Sequence, residues 1–300
     1  MQLSAFLGNP MVTTAALPLL LGIVLALLVK LVAPGASVTA TLIVGAAVLF
    51  LYWDTVGAPA FPPTAASQKL VYLAAAGIAV GQLFGRLLNG PRAGVFAAFA
   101  IVGAFAWLGW RRVLAGPVDL QMVAAVVVGL LTAAGAAALM TMRTEPPPAE
   151  RPFMIPAAVL TSSLAGALTS VLGASIVVGQ LLGSLAALIG GLCLVEYIAV
   201  LRGRPASGWG KGVEFLVLFA AGTAIIQVAL LAPKANPAAL MLSPLPLLVA
   251  AFLAGPLQIL LPASRPLRPL VAGFLIAIPA MLSVLAAIVW APHGAALGFS

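Results

Sequence analysis

Ten apolar blocks of membrane-spanning length follow one another through almost the whole chain, and nearly every charged residue falls in the short gaps between them. The blocks run from Val12 to Val32, Val38 to Trp53, Leu70 to Leu88, Ala93 to Trp110, Leu120 to Met142, Phe153 to Leu172, Ser175 to Leu201, Val213 to Leu231, Leu240 to Leu261 and Leu270 to Trp290. A helix of about 20 apolar residues matches the roughly 30 Å hydrocarbon core of a bilayer. With 63% hydrophobic and 7% charged residues in a chain of 300, there is no material for a sizeable water-soluble domain. The expected fold is all-α: a polytopic transmembrane helical bundle of about ten helices with short loops, a single integral membrane domain over residues 1–300.

The gaps carry turn punctuation, as at Ala33-Pro34-Gly35, Asn89-Gly90-Pro91 and Gly116-Pro117. Gly173-Ala174 is the shortest join, where two helices compete with one long broken helix. The Pro-rich gap 143–152, RTEPPPAERP, reads as a linker between halves 1–142 and 153–300. The opening MQLSAFLGNP holds no Lys or Arg, so it lacks the basic region of a cleavable signal peptide, and the first block is expected to be an anchor. The single cysteine, Cys193, excludes an internal disulfide and a Cys-rich metal site.

Orientation follows from the basic residues. Gaps after the odd-numbered blocks hold Lys30, Arg86, Arg92, Arg143, Arg151, Arg202, Arg204, Lys211, Arg265 and Arg268; the opposite gaps hold Lys69, Arg111, Arg112 and Lys234. The excess of positive charge on cytoplasmic loops places the first set inside and both termini on the outer, periplasmic side, with Arg111-Arg112 running against the trend. A net charge of +8 is what basic loops facing an anionic leaflet require, and no basic, aromatic-interleaved surface for nucleic acid is present. The expected partners are the lipid bilayer and, beyond it, other membrane subunits or a second copy. Short loops and the basic bias fit a bacterial inner membrane. Tyr52, Trp53, Trp107, Trp110 and Trp290 close their blocks as interfacial anchors. The gap Asp54 to Lys69, with Phe61-Pro62-Pro63 at its centre, reads as a stiff outer loop, either a cap or a docking segment.

One stretch repeats. Ala76 to Leu87, AGIAVGQLFGRL, aligns without gaps to Ala174 to Leu185, ASIVVGQLLGSL, with eight identities in twelve. These are blocks three and seven, which share an orientation, so the match does not fit a five-plus-five duplication. It is either a four-helix repeat or convergence on a packing pattern. Gly77, Gly81 and Gly85, like Gly179 and Gly183, recur at every fourth residue and give each helix a stripe without side chains. Such stripes let helices approach closely in lipid, where no hydrophobic drive joins them; in a transporter the same smooth contact permits sliding.

The candidate transport site comes from the few polar side chains: Gln82 and Arg86 on block three, Gln180 at the equivalent place on block seven, Gln227, and Glu196 with Tyr197. A glutamine in hydrocarbon needs a partner, and an intramembrane carboxylate is a functional candidate. The plainer readings are interhelical hydrogen bonds for the glutamines, snorkelling for Arg86 and, for Glu196, reach to the surface or a salt bridge. Asp119 and Glu214 stand at block starts, where helix macrodipoles favour acids. Gly255, Pro256 and Pro279 are candidate hinges, since broken helices expose backbone groups to substrates in many secondary transporters, although proline kinks are common in membrane helices.

Absences narrow the function. There is no G-x-x-x-x-G-K-[ST], H-E-x-x-H or G-x-S-x-G, and the only histidine, His293, follows the last block. No enzymatic chemistry, cofactor or metal is expected. In length and helix count the chain resembles the drug/metabolite transporters, a likeness of architecture that no motif carries. Two readings follow: a small-solute permease or exporter of secondary-transporter type, or a non-catalytic accessory subunit of a larger membrane complex. The first calls for a polar cavity at mid-membrane lined by these glutamines or Glu196, where blocks three, seven, nine and ten meet. The second calls for a dry bundle and a large apolar face.

Overall fold

The structure, a computed structural model, describes residues 11–32, 37–63, 65–142, 151–204, 208–232, 234–264 and 266–289, and all regular structure within them is helical. The Ala33-Pro34-Gly35 turn, residues 143–150 of the linker, Trp290 and His293 lie outside the described residues. In chain order the helices are α1 (Leu17–Val32), α2 (Ser37–Val56), α3 (Ala66–Arg86), α4 (Pro91–Ala115), α5 (Leu120–Thr141), α6 (Arg151–Leu172), α7 (Ile176–Leu201), α8 (Lys211–Leu231), α9 (Pro237–Leu242), α10 (Leu245–Leu253) and α11 (Leu267–Val289).

Every apolar block is helical, but they are not ten equal spans. Eight helices are long and apolar enough to cross a membrane: α1 with the turn before it, α2, α4 to α8, and α11. Of the other two blocks, α3 is 21 residues long but diluted by Gln68, Lys69, Gln82 and Arg86. The ninth is split into α9, α10 and a 3-10 turn over Pro256–Leu260.

Proline explains the irregularities. Pro244 and Pro246 supply no N–H to a continuing ladder, so α9 stops at Leu242, and α10 restarts three residues later. Gly255-Pro256 ends α10 in the same way, whereas Pro279 sits inside an uninterrupted α11. Ahead of Pro18, residues Val12–Ala16 widen into a π turn in which the Leu17 N–H reaches back to the Val12 carbonyl. That widening gives the proline ring room against the preceding turn. Between α6 and α7 the chain reverses within three residues, settling the short join as two helices. Ala174 takes the left-handed conformation at φ 63°, and Ser175 N–H returns to Ser170 O at 2.9 Å. Gly173 serves space instead: a Cβ there would come within 2.6 Å of the Ala235 methyl.

The architecture is a ring around one helix. α8 packs against α2, α3, α4, α5, α6 and α7, and 94% of its apolar window is buried. Neighbours in the ring follow chain order, except that α9 and α10 fill the opening between α5 and α6. α1 is applied outside against α7, and α11 outside against α6, α9 and α10. The central helix thus belongs to the 153–300 half and its jacket to both halves.

Close backbone approach makes this packing possible. At one crossing α3 meets α8 through Gly81 and Gly212, where a Cβ on Gly81 would lie 2.8 Å from the Gly212 carbonyl oxygen and one on Gly212 would lie 2.7 Å from that of Gly81. At another, Cβ atoms on Gly22 and Gly191 would overlap the backbone carbonyls of Leu188 and Leu19, joining α1 to α7.

The last carbonyls of α8 have no partner within their own helix, and neighbours satisfy them. Gln121 of α5 donates from Nε2 to Ala229 O at 3.1 Å and Ala232 O at 3.2 Å. Arg112 of α4 donates to Leu230 O and lies 3.4 Å from the Asp119 carboxylate. A cation at a helix C-terminus also meets the negative end of the macrodipole. Asp119 itself caps α5, accepting from Met122 N–H at 2.7 Å. At mid-helix Ala220 O accepts from both Tyr52 and Thr223 hydroxyls at 3.0 Å. Tyr52, expected as an interfacial anchor beside Trp53, is therefore 1% exposed while Trp53 is 59% exposed. Consecutive residues point about 100° apart on a helix, and the hydroxyl is satisfied inward.

Gly212→Val is expected to lower stability by roughly 1–3 kcal/mol through overpacking, while Gly183→Ala, with nothing near its Cβ, costs nothing; thermal unfolding in detergent compares them. Arg112→Ala is expected to cost about 2 kcal/mol by leaving the Leu230 carbonyl without its donor, against under about 0.5 kcal/mol for Arg111→Ala. Equal effects at the two arginines would show that the α8 terminus is not capped in this way.

Candidate functional site

The predicted polar residues divide between the two ends of the bundle instead of converging. Gln82, Arg86, Glu196 and Tyr197 lie toward the end where α1 finishes, and Gln180 and Gln227 toward the end that holds Arg112. The structure does not join blocks three, seven, nine and ten at one place: α3 packs on α2 and α8, α7 between α1 and α6, and α9–α10 against α5, α6 and α11. α8 is the helix that separates them.

Each glutamine has a local explanation. Gln82 Nε2 donates to Val38 O of α2 at 3.2 Å, while its Oε1 is buried with no hydrogen-bond partner. Gln227 is buried on α8 and reaches the first turn of α3; with its amide turned so that the nitrogen meets Ala66 O and the oxygen meets Ser67 N–H, both groups are satisfied at 3.3 Å. Gln180 is half-buried in the first turn of α7. Arg86 is exposed in the last turn of α3. Tyr197 donates its hydroxyl to Pro266 O at 3.3 Å, and its ring stands edge-on to Phe153 at 6.5 Å, on the way into α11.

The glycine stripes serve several contacts. Gly77 and Gly81 both face α8, at Phe219 and at Gly212, and Gly85 follows on α3. On α7, Gly179 faces Val171 and the Ala167 carbonyl of α6, Gly183 has nothing within 4 Å, and Gly191 faces α1. A step of four residues turns about 40° beyond a full helical turn. Three steps from Gly179 to Gly191 therefore carry the stripe about 120° round, from α6 to α1.

Glu196 is the exception to dispersal. Its side chain is 5% exposed, and its Oε1 lies 3.1 Å from Lys30 Nζ, whose side chain is 33% exposed. Lys30 stands in the last turn of α1, and the Gly22–Gly191 crossing is what brings the two helices close enough for the pair to form. Beside it opens a cavity of about 30 Å³, lined by Ala26 of α1, Ala40 and Val44 of α2, Leu192 of α7, and Trp209 and Val213 at the start of α8. A cavity of that size, with Lys30 and Glu196 on its wall, has room for a water molecule. From sequence, Glu196 reads as surface-reaching or salt-bridged in its plainer role, and Lys30 as a loop charge. The available signal was Leu31-Val32, which continues the apolar block beyond the lysine.

The second concavity is apolar and lateral. Leu164, Ala165 and Leu168 of α6 face Ala277, Ala280 and Leu285 of α11 across about 410 Å³. Among the described residues no three His, Cys, Asp or Glu side chains come together as a metal site would need. Compared with family models, curated proteins and solved structures, the chain finds no match. The geometry defines the class: a multi-pass helical membrane protein in which a buried carboxylate, Glu196, is paired with Lys30.

Removing one member of that pair is expected to cost more than removing both. Lys30→Met should lower stability by roughly 1–3 kcal/mol, and Lys30→Met with Glu196→Gln should recover most of the loss. Additive losses in thermal unfolding would contradict an interaction between them.

Proposed function

We propose that the protein crosses the bilayer ten times and is a small-solute permease or exporter of secondary-transporter type, with the Lys30–Glu196 pair as its working centre. The observation that carries this reading is a nearly inaccessible carboxylate held by a lysine of another helix beside a water-sized cavity. A buried ion pair gives little net stability, and ionisable groups among membrane helices mark ion and proton paths. The seam that holds the pair also suits movement. α1 is only 17% buried, and at its crossing with α7 the backbones meet at Gly22 and Gly191, so most of its surface is free of the bundle when it shifts.

The ten crossings rest on the partners of the two weaker blocks. α3 runs antiparallel to α8 from the Ser67–Gln227 contact to the Gly81–Gly212 contact, so it covers the same depth as a helix of spanning length. The α9–α10 pair lies between α5 and α6. The inward placement of the loop at Lys30 and Glu196, with termini outside, rests on the distribution of Lys and Arg. Arg112 weakens the reading less than its position implies, because its charge is committed to α8 and Asp119. A bacterial inner membrane fits this arrangement, and no catalytic step is assigned.

An accessory subunit is the second reading, favoured by the apolar α6–α11 groove. One set of measurements separates them. The purified protein is screened for thermal stabilisation by amines, amino acids, sugars and organic acids, and solutes that respond are tested for uptake into proteoliposomes under an imposed pH gradient. The transporter reading expects gradient-driven uptake that Glu196→Gln abolishes while the variant stays folded. No responding solute, together with a stoichiometric partner after mild-detergent purification, would establish the accessory role instead.

A further inference from the structure

The two adjacent arginines of α4 have opposite surroundings. Arg112 turns inward to the α8 carbonyls, whereas Arg111 is exposed, with its guanidinium carbon 5.4 Å from the centroid of the Trp110 ring. Lys69, in the first turn of α3, reaches the same part of α4. Its Nζ donates to Trp107 O at 2.9 Å and lies 5.7 Å from the centroid of the Trp107 ring. A helical carbonyl points along the axis toward the residue four positions on, which for Trp107 is Arg111. The ammonium and the guanidinium are therefore neighbours, near enough to repel one another.

Nothing acidic is paired with either cation among the described residues. Of the acids at this end, Asp119 is taken by Arg112 and the Met122 amide, and Asp54 is exposed at the close of α2 with no ion pair. Two like charges side by side, each seated on an indole, leave their outward N–H groups open to an anion. Guanidinium edges suit phosphate oxygens in particular.

The surroundings say which phosphate. Trp107 and Trp110 are 40% and 48% exposed at the level where α4 leaves its apolar stretch, the depth of lipid headgroups. On the membrane side of them α4 exposes Phe99 and Val102, and Gly103, one turn from Trp107, has nothing within 4 Å. This is a polar contact with an apolar track leading from it, as a phospholipid requires. We propose that Lys69 and Arg111, framed by Trp107 and Trp110, bind the phosphodiester of an anionic phospholipid whose chains lie along α4. The uncompensated charge selects against zwitterionic headgroups.

The test uses the full chain in phosphatidylcholine vesicles. Tryptophan fluorescence is titrated with phosphatidylglycerol brominated near the headgroup end of its chains, and separately with phosphatidylcholine brominated at the same place. Half-quenching is expected at a lower mole fraction of phosphatidylglycerol. Lys69→Gln and Arg111→Gln should each raise that fraction roughly fivefold, the weight of one cation near a membrane surface. Trp107→Phe with Trp110→Phe should remove the phosphatidylglycerol-specific component. Equal quenching by the two lipids, or an unchanged preference in both glutamine variants with unaltered thermal unfolding, would overturn the proposal. Loss of the preference on adding millimolar glycerol phosphate would overturn it too, by revealing a site for free anions.

Discussion

The structure depends on enclosing α8. A helix in lipid gains nothing from the hydrophobic effect by exchanging lipid neighbours for helices, so its burial must come from close packing and satisfied polar groups. α8 has both. Gly212 admits the backbone of α3, Gly222 admits the Thr132 side chain of α5, and Gly77 admits the Phe219 ring. Its polar atoms are met from outside as well: Gln121 and Arg112 take the last carbonyls, Tyr52 takes Ala220 O, and Gln227 reaches the first turn of α3. With six helices committed to this one, the remaining four are left at the margins, where α1 and α11 are largely bare.

That division governs where function can reside. A close-packed centre resists displacement, because shifting one layer forfeits the contacts of the next. Tyr52, Gln121 and Gln227 sit there and serve as fixed ties. The Lys30–Glu196 pair sits instead at the seam between the ring and a peripheral helix, next to a water-sized opening. A charged pair and a mostly lipid-facing helix meet at this seam, and the transport reading draws its strength from that meeting.

The blocks were legible because hydrocarbon thickness dictates length, and every one of them is helical. Gln82 as an interhelical donor was legible because a buried polar group must find a partner; Glu196 read as surface-reaching or salt-bridged, and Asp119 as an acid at a helix start, without its partners being named. The arrangement of the helices was not. In a soluble protein an apolar stripe marks the inner face, but here lipid and protein interior are equally apolar, so α1 and α8 read alike although one is 17% and the other 94% buried. The match between α3 and α7 misled about a shared centre for the same reason. The same glycine spacing meets α8 in one case and then α6 and α1 in the other, since a four-residue step rotates along the helix. Tyr52 reads as an interfacial ring beside Trp53 until its partner, 168 residues away, is known.

The enclosure of α8 is tested most directly by scanning it with single cysteines, in a Cys193→Ala background, and measuring labelling by a membrane-dissolved maleimide. The account predicts protection at every position from Phe215 to Leu230, with α1 positions such as Leu20, Val24 and Leu27 labelled freely. Labelling of α8 that recurs every three to four residues would reveal a lipid-facing stripe, and would contradict a structure in which α8 is the centre.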